Sequence, residues 1–287
     1  MNVPMIDFQH PDARSQFVDS LKSTGFALLE NHPLDNELLT RIYADWLGFF
    51  QSDLKLEFAF DPDSEDGVQA GYVPPDVSET AVGQADKDLK EFFNFAPDGF
   101  FPASLRKDIR TYRASAFALG RKLVGWIDQE LPNEVAAHIR PLPDILGDET
   151  SLLRVIHYPP LGADAPPKAV RAAAHEDINI ITVLPVSEQP GLQVQGLDGE
   201  WVDLAGQPGA LAVNTGDMLQ EATGFYFPST THRVVNPEGD HANVSRISIP
   251  YFLHCRRDIV LSDRYTAGSY LAERLSILNP ELKPSNG

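Results

Sequence analysis

Sulfur chemistry is almost missing from this chain of 287 residues, which carries one cysteine, Cys255. No internal disulfide can form, so a reducing, cytoplasmic setting is expected. Positive charge is scarce too: 23 Lys and Arg stand against 41 Asp and Glu, a formal net charge of −18 at pH 7. Such a surface repels phosphate backbones and anionic lipid, so neither nucleic acid nor a membrane is an expected partner. No apolar run reaches the ~20 residues that cross a bilayer. The opening MNVPMIDFQHPDARSQF has no basic segment followed by an apolar one, so no signal peptide is expected. Repeats and low-complexity tracts are lacking as well. What is present is an ordinary globular balance, 43% hydrophobic and 22% charged. That is enough apolar material for a sizeable core, in one large domain or two small ones.

The pattern changes along the chain. Up to residue 132 helical spacing dominates, with short strands at MIDF and FALLENH. PDARSQFVDSLKSTG reads as a helix closed by Gly25. DNELLTRIYADWLGFFQSD places Leu38, Leu39, Ile42, Trp46, Phe49 and Phe50 at helical intervals. The segment from Ser104 to Leu131 predicts a long helix, ended by Pro132 and Asn133. The acidic, Pro- and Gly-bearing stretch from Asp61 to Asp88 has no period and reads as a functional loop or a lid over a site. From Ser151 onward short strands alternate with Gly, Pro, Asn and Asp, the signature of a barrel or sandwich such as a jelly roll. A last helix is expected at AGSYLAERLSIL. The helical part has no obvious core of its own. A single domain over 1–287 is therefore expected, α+β with a mainly β core: N-terminal helices over 1–132, a barrel over 151–260 and a C-terminal helix.

Polar residues interrupt this β region in a particular order. HEDINIITVLP predicts a strand opening with His175 and Asp177 on one face. His232, in STTHRVVNP, begins another strand. RISIPYF puts Arg246 and Ser248 on one face and Ile247 and Ile249 on the other. An H-x-D pair recurs by chance, and R-x-S alone says little. The order H-x-D, distant histidine, R-x-S within one all-β region carries the weight. Two imidazoles and a carboxylate make the facial triad of non-heme iron(II) sites, which leaves three coordination positions open. A buried guanidinium needs an anion, and its forked donors suit a carboxylate, with a serine hydroxyl beside it. A hydrolytic zinc site would need an acid–base residue that the motif lacks. His10, His32, His138, His241 and His254 show no partner pattern and read as structural or solvated.

The chain resembles the isopenicillin N synthase-like branch of the iron(II)/2-oxoglutarate-dependent dioxygenases. MIDF, GFALLENH, LKEFFNF, LLRVIHYPP, HEDINIITVLP, PGLQVQ, GEWVDL, ALAVNTGDMLQEATGFYFPSTTHRVVNP and RISIPYF match that family in order. The resemblance implies a double-stranded β-helix, or jelly roll, and His175, Asp177 and His232 as iron ligands. It implies Arg246 and Ser248 as holders of the distal carboxylate of 2-oxoglutarate, with Tyr158 bonding the same group. Iron(II), 2-oxoglutarate and O2 would oxidise, by default hydroxylate, a small organic molecule, releasing succinate and CO2. Related oxidases without 2-oxoglutarate and a non-catalytic receptor are the alternatives on this fold; succinate release separates them. Ile156 stands where plant members often carry asparagine, and Glu176, between two ligands, is expected to face away from the metal. Tyr72, Phe92, Phe93, Tyr226, Phe227 and Phe252 are candidate substrate contacts. The sequence does not identify the substrate or the oligomeric state.

Overall fold

In a computed structural model the described residues are 1–61, 70–75, 77, 88–95, 101–161, 170–187, 189–204, 207–237 and 239–278. Most of the expected loop or lid, 62–69 and 78–87, lies outside them. Helix α1 (Ala13–Thr24) ends where Gly25 turns left-handed, φ 71°. A side chain there would strike Thr230 Oγ1, at 2.1 Å from an added Cβ, so glycine serves both the turn and the close approach. Helix α2 (Asn36–Phe50) starts at Asp35, whose carboxylate accepts from the Glu37 and Leu38 amides. It buries all six predicted apolar residues. Helix α3 (Arg106–Glu130) is the long predicted helix. A short helix, α4 (Asp217–Ala222), lies within the β region, and α5 (Ala267–Leu278) is the C-terminal helix.

Thirteen strands form two sheets among the described residues. They are β1 (Met5–Asp7), β2 (Phe26–Glu30), β3 (Gly71–Val73), β4 (Glu91–Phe95), β5 (Leu152–Tyr158), β6 (Ala172–His175) and β7 (Ile181–Pro185), then β8 (Leu192–Gln195), β9 (Trp201–Asp203), β10 (Leu211–Thr215), β11 (His232–Val234), β12 (Arg246–Ser248) and β13 (Tyr251–Leu253). The larger sheet runs β1-β2-β10-β7-β13-β5-β4-β3, with β12 beside β5. The smaller runs β6-β11-β8-β9. This is the double-stranded β-helix. Strands from the N-terminal part complete the larger sheet at both ends, and α1, α2 and α3 cover its outer face in one continuous apolar cluster.

The strand expected at HEDINIITVLP is two strands in two different sheets. β6 ends at His175 in the smaller sheet, and β7 begins at Ile181 in the larger. The intervening carbonyls do not join a ladder. Asp177, Asn179 and Ile180 accept instead from the Asp217, Met218 and Gly216 amides at the start of α4. That short helix start satisfies a loop that would otherwise bury unpaired backbone groups.

Candidate metal and anion site

Each expected ligand is placed by a different element. His175 ends β6 and His232 opens β11, and the two are cross-strand partners in the smaller sheet. Asp177 stands two residues past β6, in the crossing to the larger sheet. One ligand atom from each lies within 4.8 Å of the others.

Hydrogen bonds settle which ring nitrogens face inward. Nδ1 of His175 lies 2.7 Å from the Ala173 carbonyl, and Nδ1 of His232 lies 3.1 Å from that of Thr230. A carbonyl can only accept, so both rings carry their proton on Nδ1. Each Nε2 is left with its lone pair, 3.9 Å and 3.8 Å from the same oxygen, Asp177 Oδ1. These gaps are too long for hydrogen bonds. They are short enough for donors that share one ion at ~2.1 Å each.

Asp177 is buried, and its other oxygen is fully used. Asn214 Nδ2 donates to Oδ2 at 2.8 Å, and the Thr182 hydroxyl donates to the same atom. Burial pushes the carboxyl pKa up, but the two histidines and these bonds outweigh it, holding the pKa below its usual range. Burial and the neighbouring His232 push His175 down to about 4. Its side chain is 42% open to solvent, so water screens part of that cost. Phe26 sets its ring edge-on to His232, with centroids 5.4 Å apart. Glu176 accepts from the Thr231 hydroxyl, so its carboxylate is engaged on β11's approach.

The R-x-S strand faces the same interior. Arg246 pairs with Tyr158 and Ser248 with Ile156 across β12 and β5, so all four side chains share a face. Arg246 is buried, and Nη1 donates to the Gln189 and Pro190 carbonyls, both at 2.9 Å. Its Nε is buried with no hydrogen-bond partner. The guanidinium carbon lies 5.8 Å from the Tyr158 ring centroid. Burial lowers the Arg246 pKa and raises that of Tyr158. Both shifts reflect a dry pocket.

The six aromatic candidates divide by strand alternation. Phe92 pairs with Ile156 and belongs to the small interior cluster with Val73, Tyr158, Ala172 and Val234. Phe252 shares a face with Thr182, its partner across β13 and β7. Arg154 spans the two, 4.1 Å from the Phe92 ring and 5.9 Å from that of Phe252. Phe93, one residue on, points the other way and packs on Trp46 and Phe49 under the helices. Tyr72, its partner, gives its hydroxyl to Glu91 at 2.6 Å on that same outer side. Phe227 is buried in the main core, and the Tyr226 hydroxyl accepts from Lys22. None of these four belongs to the interior cluster of Phe92 and Tyr158.

Several residues near the site carry no motif. Thr182 and Asn214 orient Asp177, and only their polarity inside apolar strands could have signalled them. His157 binds Glu91 at 2.7 Å and Ser245 at 3.0 Å on the helix side of β5. Arg171, a lone charge amid AVRAAAH, is fully buried.

Two family models match the chain. Residues 149–255 match the 2OG-Fe(II) oxygenase superfamily, and residues 3–112 match the non-haem dioxygenase in morphine synthesis N-terminal family. A gibberellin 2-beta-dioxygenase of Phaseolus coccineus is 30% identical, over 87% of this chain and 76% of its own. The crystal structure of a candidate oxygenase from Shewanella oneidensis is 46% identical, covers 97% of this chain and 99% of its own, and superposes with a TM-score of 0.87. A full-length Neurospora crassa protein, crystallised in complex with alpha-KG, is 22% identical over 96% of this chain and 95% of its own, and shares the fold at a TM-score of 0.78.

Proposed function

Because the chain belongs to the 2OG-Fe(II) oxygenase superfamily, we propose that His175, Asp177 and His232 hold its iron and that Arg246, Ser248 and Tyr158 hold the distal carboxylate of 2-oxoglutarate. The protein is an iron(II)- and 2-oxoglutarate-dependent dioxygenase acting on a small organic molecule. When bound, the iron and 2-oxoglutarate supply O2 activation coupled to decarboxylation, which delivers an oxidising equivalent strong enough for an unactivated C–H bond.

The chain's own residues prepare that chemistry. The two Nδ1–H bonds to backbone carbonyls fix each imidazole's tautomer and aim. Asn214 and Thr182 hold Asp177 charged and turn Oδ1 inward. The dry Arg246–Tyr158 pocket awaits an anion. Phe92, Phe252 and Arg154 form an interior wall that excludes water and orients the substrate. Hydroxylation is the default outcome, and the prime substrate is a small molecule with an apolar face toward that wall.

One oxygenase domain fits the sharing of the larger sheet by N- and C-terminal strands. Among the described residues no helix is long and apolar enough to cross a membrane. A cytoplasmic setting suits the single buried thiol, and the −18 charge disfavours nucleic acid and membrane partners.

The observation that carries the metal assignment is the pair of imidazole lone pairs at 3.8 and 3.9 Å from one carboxylate oxygen, with no proton between them. Iron- and O2-dependent release of succinate from 2-oxoglutarate tests it. The wild-type protein is expected to release succinate, and Asp177→Ala and His232→Ala to lose it with the fold intact. Unchanged succinate release in both variants would overturn the ligand assignment.

A further inference from the structure

The Arg246 pocket contains a second guanidinium that none of the roles above employs. Arg171 immediately precedes β6 and is 0% exposed. Nη2 donates to the Val244 carbonyl at 3.0 Å, while Nε and Nη1 are buried without a hydrogen-bond partner. Its guanidinium carbon lies 5.9 Å from the Tyr158 ring centroid, and that of Arg246 lies 5.8 Å from the same point. Burial and the Arg246 charge both push the Arg171 pKa below its usual value. Among the described residues no carboxylate pairs with either guanidinium. Asp88, which is also near Tyr158, is engaged by Lys90 at 2.7 Å and by the Ala173 amide at 3.0 Å.

Two like charges thus lie near one buried tyrosine ring and oppose each other, with three buried N–H-bearing nitrogens unsatisfied: Nε and Nη1 of Arg171 and Nε of Arg246. Buried charges persist when they are paired, so this pocket is built for an anion that arrives from outside. A brace for one backbone carbonyl needs a single donor and no second charge. We propose that Arg171 is a second anchor for the distal carboxylate of 2-oxoglutarate, which two guanidiniums hold rather than one. The proposal rests on the reading of Arg246 given above. It makes the distal carboxylate the main selection element for the co-substrate: a 2-oxo acid without it leaves both charges unpaired. It also gives Arg171 effects of opposite sign in the two states. In the ligand-free protein the guanidiniums repel and removing one relieves the pocket; in the bound protein removing it costs affinity.

The test uses full-length Arg171→Met and Arg246→Met. Anaerobic titration of the iron-loaded proteins with 2-oxoglutarate and with pyruvate reads affinity. Thermal unfolding with and without succinate reads the ligand-free pocket. We expect Arg171→Met to bind 2-oxoglutarate 10- to 100-fold more weakly and to leave pyruvate binding unchanged. It should unfold at a higher temperature than wild type without ligand and lose the stabilisation that succinate gives. Should Arg171→Met not fold, Arg171→Lys keeps the charge without the fork and should weaken 2-oxoglutarate binding at least threefold while pyruvate binding is unchanged. If Arg171→Met binds 2-oxoglutarate within twofold of wild type while Arg246→Met loses it, Arg171 is a backbone brace and the proposal fails alone. Equal losses for 2-oxoglutarate and pyruvate would also overturn it, as general damage to the site. Normal binding in Arg246→Met would instead overturn the reading of Arg246 itself.

Discussion

Asn214→Ala isolates the positioning of Asp177 from its ligand chemistry. Asn214 lies on β10, buried, and its Nδ2 donates 2.8 Å to Asp177 Oδ2. The main chain of Asn214 stays in register with Phe26 and Thr182 whatever its side chain, so the sheet should survive. A hydrogen bond to a buried charged group is worth roughly 1.5–3 kcal/mol, which corresponds to about 10- to 150-fold in an equilibrium constant. Part of that loss falls on folding and part on the metal, so about 10- to 100-fold weaker iron binding is expected. Thr182→Val removes the second donor to the same oxygen. The double variant should therefore lose more than either single one, by an amount that departs from simple addition. Anaerobic competition for Fe(II) against a chromophoric chelator gives the affinities, and circular dichroism controls for the fold. Wild-type iron affinity in folded Asn214→Ala would refute the idea that this bond sets the Asp177 carboxylate.

Other perturbations reach further parts of the structure. Arg246→Ala should weaken 2-oxoglutarate binding by roughly 30- to 5000-fold, from about 2–5 kcal/mol for truncating one partner of a buried charged pair. Ser248→Ala should cost only about 1 kcal/mol; calorimetric titration that ranks the two in the reverse order would contradict the assigned roles. Glu91 is buried and receives Lys55 Nζ at 2.9 Å, the Tyr72 hydroxyl at 2.6 Å and His157 at 2.7 Å. Glu91→Gln should therefore cost about 3–5 kcal/mol in denaturant unfolding, and a change below ~1 kcal/mol would show that the network contributes little. Burial holds His254 neutral down to about 4, against an ordinary value of 6.5. Below pH 6.5 the unfolded chain takes the proton first, so this group's stability contribution is complete above that pH and is lost as pH falls toward 4. The loss is at most about 3 kcal/mol. His254→Gln should flatten the difference between urea unfolding at pH 7.5 and pH 5; an identical slope in both proteins would remove His254 as its source.

Much of the architecture could be read from periodicity, and the shortfalls have definite causes. Helices α1, α2, α3 and α5 announce themselves by their sequence pattern, α1 also by Gly25 at its end, whereas the Asp35 cap of α2 emerges only in the structure. The three residues that the fold brings together, His175, Asp177 and His232, were legible through their order along the chain. The single strand expected at HEDINIITVLP was not, because an apolar run does not reveal that the chain changes sheets between His175 and Ile181. Among the aromatic candidates, composition could not separate Phe92 from Phe93. The register of β4 against β5 does, since it turns one toward the interior cluster and the other under α2. Asn214 and Arg171 lie far in sequence from their partners, Thr182 stands only five residues past Asp177 but in the other sheet, and none of the three belongs to a spacing rule. Their roles emerge only where the sheets bring a buried polar group to a partner, or leave it without one.

The most direct measurement is anaerobic titration of the wild-type protein with Fe(II) and then 2-oxoglutarate, watching for the visible charge-transfer absorption of the chelated complex. We expect the band to saturate at one iron and one 2-oxoglutarate per chain. It should be absent in His232→Ala and Asp177→Ala, and in Arg246→Ala it should require far more 2-oxoglutarate. A full-strength band at wild-type affinity in folded His232→Ala and Asp177→Ala would contradict the assignment of His175, Asp177 and His232 as the iron site.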